Sequence, residues 1–70
     1  MIDKTIMDTT IHDLEKLGCG LETIRERHII GVNIPKEMDY IPVRKYLQAG
    51  CSANKWDYEE SCLCHTYDVA

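Results

Sequence analysis

Residues 28–35, HIIGVNIP, constrain the fold more than any other stretch of the chain. Ile30, Val32 and Ile34 recur at period two, so an extended backbone points all three to one face and leaves Ile29 and Asn33 on the other. Pro35 ends the strand, because it cannot donate to a ladder. A strand with one apolar face must cover that face, and a chain of 70 residues has room for one compact core only.

The flanking segments supply the cover. Residues 21–26 mix apolar and charged side chains as an exposed antiparallel neighbour would, after a Gly18-Cys19-Gly20 turn in which either glycine can take positive φ. Upstream, Asp8, Thr9 and Thr10 offer N-cap oxygens, Asp13 stands three positions after Thr10, and Ile11, Leu14 and Leu17 follow helical spacing up to Gly18, which predicts a helix over 9–17. Asp39 as N-cap, Pro42 in a first turn, and Val43, Tyr46, Leu47 and Gly50 predict a second helix over about 40–49, followed by a polar loop, CSANK. Ile2 and Ile6 flank Lys4 in a short run that reads as an edge strand, and such an edge offers a second copy a surface for two-fold pairing into a homodimer.

The segment KWDYEESCLCH, residues 55–65, holds the densest chemistry. Trp56, Tyr58, Cys62 and Cys64 share one parity and suit a core-facing side. Asp57, Glu59, Ser61, Leu63 and His65 share the other. Glu60 breaks the alternation, which implies a bulge or a carboxylate at the sheet rim, since an unpaired buried charge costs several kcal/mol. Read as one strand over 56–65, the segment completes the order strand, helix, strand, strand, helix, strand. This is an α+β chain, a ferredoxin-like βαββαβ sandwich over residues 1–70, with two helices on one face of a four-stranded antiparallel sheet. The open face then carries Thr23 or Glu22, Ile29, Asn33, Asp57, Glu59 and His65.

The succession LEKLGCGLE, HIIGVNIP, DYIPVRKYL and WDYEESCLCH resembles the C-terminal half of a bacterial family of uncharacterised proteins, over about residues 10–65. That family is a domain of unknown function, so the resemblance implies the fold and no catalytic residues. The chain departs from the family in lacking the preceding half, as a stand-alone module or an excised copy put to a new use would.

Charge narrows the partners. Twelve Asp and Glu against eight Lys and Arg give a formal net charge of −4, which argues against direct binding of a phosphate backbone and favours a protein with a basic surface. Arg25, Arg27, Arg44 and Lys45 are scattered among acids. No apolar run approaches the ~20 residues of a membrane span, and the N-terminus has no secretion-signal pattern, so the expected location is cytoplasmic and Cys19, Cys51, Cys62 and Cys64 are expected as thiols.

Two functional classes remain. In the first, the chain is a small acidic non-enzymatic interaction protein, such as an anti-CRISPR inhibitor carried by a phage or mobile element, that occludes a basic site on a larger partner. Asp57, Glu59 and Glu60 supply the charge, Trp56 and Tyr58 supply anchors where they are partly exposed and are otherwise core, and no cofactor is needed. A toxin-neutralising immunity protein would share these properties. In the second, Cys62, Cys64 and His65 form a metal- or thiol-dependent module, completed by Cys51 or Cys19; the spacing along a strand differs from the turn-borne pairs of structural zinc sites. No glycine-rich phosphate loop or Ser-His-Asp order points to an enzyme.

Overall fold

The Asp3 carboxylate accepts a hydrogen bond from the Ile6 N–H at 2.9 Å and so opens the first helix, α1, Lys4–Leu17, in a computed structural model that describes residues 2–60 and 66–70. The edge strand expected over 2–6 is therefore replaced by a cap and the first helical turn. Ile2 and Met7 stand on either side of the cap with the spacing of a hydrophobic staple, and both are fully buried in the core. Thr10, expected near the start of a helix, lies inside this one and turns its hydroxyl back to donate to the Ile6 carbonyl at 2.6 Å. Gly18 ends α1 as expected, in a left-handed conformation with φ 98°; its N–H donates to the Glu15 carbonyl at 3.0 Å, and that of Cys19 to Leu14 at 3.2 Å.

The hairpin around HIIGVNIP forms as its pattern requires. Strand β1, Gly20–Ile24, runs antiparallel to β2, Ile29–Asn33, with Leu21 opposite Val32 and Thr23 opposite Ile30. A 3₁₀ turn, Arg25–Arg27, joins them and closes on His28. Ile30 and Val32 are fully buried, and Ile34 nearly so.

Helix α2, Ile41–Asn54, is longer than its expected range. The Asp39 carboxylate accepts from the Ile41 N–H at 3.0 Å, and Pro42 lies in the first turn, where no intrahelical donor is needed. Gly50 does not end this helix. Residues 51–54 continue it, and the stop falls at Lys55.

The single strand expected over 56–65 is instead part of a hairpin, β3, Tyr58–Glu60, and β4, Thr66–Val69, while the expectations for Ser61, Cys62, Leu63, Cys64 and His65 lie outside the described residues. Strand β4 supplies the fourth strand in place of 2–6, and it lies inside the sheet, between β2 and β3, whereas 2–6 was expected at an edge. The sheet is antiparallel throughout, in the order β1-β2-β4-β3. Two helices and four antiparallel strands give the α+β class and the ferredoxin-like type of sandwich, laid down by the chain as αββαββ. Ile30, Val32, Tyr67 and Val69 from the sheet meet Met7, Leu14, Val43, Leu47 and Trp56 in one core. Alternation along the strands sends the other side chains to the uncovered face.

Candidate functional site

The register assembles the uncovered face row by row. Glu22 pairs with Gly31, Gly31 with Asp68, and Asp68 with Glu59, which sets three carboxylates across all four strands. Asp57 extends the ladder: its N–H donates to the Ala70 carbonyl at 2.7 Å and its carbonyl accepts from the Ala70 N–H at 2.8 Å, which puts it on the same face. Gly31 lies within the row without a side chain of its own. A Cβ built there would sit 3.6 Å from Asp68 Oδ1 and 3.7 Å from Glu22 Cβ, so these two side chains border the bare glycine.

All four carboxylates are exposed, and none has an ion-pair partner among the described residues. Among the described residues no ladder position on this face carries Lys or Arg; the remaining ones hold Gly20, Ile24, Ile29, Asn33, Thr66 and Ala70. Like charges placed directly opposite on neighbouring strands, as Glu59 and Asp68 are, destabilise a sheet. Cross-strand pairing of these carboxylates therefore does not stabilise the sheet.

The residues expected to bind a partner divide between the two sides. Asp57 and Glu59 lie on the acidic face. Glu60 pairs with Tyr67 in the register, on the helix side of the sheet, and stays exposed because β3 is an edge strand, which is the rim position its broken alternation implies. Trp56 is 2 % exposed and belongs to the core, so it is corrected from a partner anchor to a packing residue. Tyr58 is half-buried, edge-on to Tyr67 with ring centroids 5.6 Å apart. Glu22 was an open-face alternative to Thr23; the register puts Glu22 there and Thr23 on the helix side. Asp68 was missed, since its membership depends on a strand pairing that local periodicity does not reveal.

The metal- or thiol-binding set Cys62, Cys64 and His65 lies outside the described residues. Among the described residues no group of three His, Cys, Asp or Glu side chains is placed to hold a metal ion. Cys19 and Cys51 are free, and burial pushes both thiols up from their ordinary range, with the Asp57 charge adding to the effect at Cys51. Neither is thereby an activated nucleophile. No helix among the described residues is long and apolar enough to cross a membrane.

On the helix layer, α1 and α2 are tied by the Tyr46 hydroxyl, which donates to Asp13 Oδ2 at 2.8 Å. Beside this bond lies a groove of about 390 Å³ with Trp56 and Gly50 among its walls. A smaller hollow of about 250 Å³ is lined by Lys4, Met7, Arg25 and His28. Comparison of the chain with protein-family models, with curated proteins and with solved structures found no match.

Proposed function

We propose that the chain is a small, non-enzymatic binding module whose acidic sheet face engages a basic surface on a larger protein and occludes it. The observation that carries this reading is the row Glu22, Asp68 and Glu59, with Asp57 beside it, aligned across the sheet without an interleaved cation. Such a face raises association rates with a basic partner and competes with nucleic acid for the same site. Inhibition of a nucleic-acid-binding protein, as by an anti-CRISPR protein, is the form that best suits a small chain of net charge −4.

The test is affinity capture from the native cell, followed by binding kinetics of the captured partner at low and high salt with Glu59→Lys/Asp68→Lys. Glu15→Lys/Glu37→Lys is the matched control, because both residues are exposed and lie off the sheet face. The reading expects the face variant to lose salt-sensitive association while the control keeps it; equal behaviour of the two overturns it.

A further inference from the structure

We propose that the groove between α1 and α2 is a binding site for a small primary amine with an aryl or alkyl body, held by the Asp13 carboxylate. This site is on the helix layer, apart from the acidic sheet face, and does not depend on the function proposed for that face.

The groove's shape follows from the spacing of small and polar residues. Thr5, Thr9 and Asp13 fall four apart on α1 and so share one side of it, while Tyr46, Ala49 and Ala53 line the facing side of α2. The alanines hold the second wall back, and about 390 Å³ falls within the range of small-ligand clefts.

Charge and hydrogen bonding select the ligand. Asp13 is half-buried and accepts one hydrogen bond, from Tyr46, which leaves most of its acceptor capacity free. It makes no ion pair among the described residues, and no Lys, Arg or His lines the groove. An anionic ligand would meet the Asp13 carboxylate and the net charge of −4, and a neutral one would cover that carboxylate without compensating it. An ammonium group satisfies it. The half-buried Tyr46 ring adds apolar surface and a negative ring face that favours a cation, and the buried Trp56 ring, its centroid 6.4 Å from that of Tyr46, backs the groove wall.

Trp56 is the single tryptophan and borders the groove, so its fluorescence reports on occupancy. Phenethylamine is titrated up to about 10 mM, a range suited to a ligand of this size, beside 2-phenylethanol and 3-phenylpropanoate. The expected result is a saturable change with the amine, binding about tenfold or more weaker for the alcohol, and none for the carboxylate. Asp13→Asn, with its fold checked by near-ultraviolet circular dichroism, should remove the preference for the amine over the alcohol. Ala49→Leu obstructs the groove from an exposed helix position while leaving the Asp13 carboxylate and the Tyr46 hydroxyl in the chain, and should abolish the response even if Asp13→Asn fails to fold. No saturable change with the amine, equal binding of amine and alcohol to the natural chain, or an undiminished response in Ala49→Leu would each overturn the assignment.

Discussion

The indole of Trp56 lies directly on the Cα of Gly50, and its Nε1 donates to the Leu47 carbonyl of the same helix at 3.3 Å. A Cβ at residue 50 would fall inside the ring atoms. Glycine is thus present in the middle of α2 because a large side chain occupies the space a small one would need, although glycine in a helix ordinarily costs about 1 kcal/mol relative to alanine.

Gly50→Ala should accordingly destabilise the chain, against the usual sign for this exchange in a helix. Displacing a fully packed ring costs about 1–3 kcal/mol, more than the propensity gain returns. Urea unfolding followed by circular dichroism measures it, and an unchanged or higher midpoint would contradict the packing.

Lys55 predicts the opposite response. It ends α2 with φ 57° and ψ 34°, the left-handed conformation that glycine adopts freely and an L-residue does not, and its side chain is exposed. Lys55→Gly should raise stability by about 1 kcal/mol less the larger freedom of glycine in the unfolded chain, a net gain of several tenths. The same exchange at His28, φ 54°, should return less, because that side chain is half-buried and its contacts would be lost. Thermal unfolding of the two variants side by side tests the ranking.

These two positions show why part of the fold is legible in the letters and part is not. The strand of Ile30 and Val32 could be read because period two with one buried face leaves a single interpretation. Ile2 and Ile6 fit a short strand as well as a helical turn, and Asp3, a better-placed cap than Thr10, decides between them only once its carboxylate is seen on the Ile6 amide. Gly50 reads as a helix stop until the indole that fills its place is known. Strand β4 is four residues long, and the alternation of Tyr67 and Val69 is too brief to stand out beside the cysteines that precede it. The acidic row is less legible still, because Glu22, Glu59 and Asp68 are far apart in sequence and become neighbours through register alone.

Stability should fall on the alkaline side. Burial pushes the Tyr46 phenol up, and its hydrogen bond to Asp13 adds to the effect; burial also pushes Tyr67 up, with the Glu60 charge next. A group whose folded pKa is raised contributes stability that is fully present below its unfolded value, ~10 for tyrosine, and lost as pH rises through the folded value. The buried Cys19 and half-buried Cys51 thiols act in the same direction from their lower unfolded value of ~8.5. Unfolding free energy should therefore decline above about pH 8.5, more steeply above about pH 10, and Tyr46→Phe should flatten the second phase. Denaturant midpoints measured across that range decide it, and a rise with pH would show that these groups are solvated in the folded chain.

Gly31→Lys separates what the acidic face does for folding from what it does for binding. Gly31 has no positive φ, and a Cβ there meets Asp68 and Glu22 at ordinary contact distances, so the backbone and the space both admit a side chain. Lysine would enter the row with Glu22 on one flank and Asp68 on the other, replacing a glycine that weakens a strand interior. The expected gain in stability is about 0.5–1 kcal/mol at low ionic strength, shrinking as salt screens the new pairs. Its effect on association should have the opposite sign, since a cation in the centre of the row repels a basic partner while removing none of the carboxylates. A more stable chain that binds its partner more slowly would locate the interface on this face. A more stable chain that binds unchanged would show that the row does not face the partner.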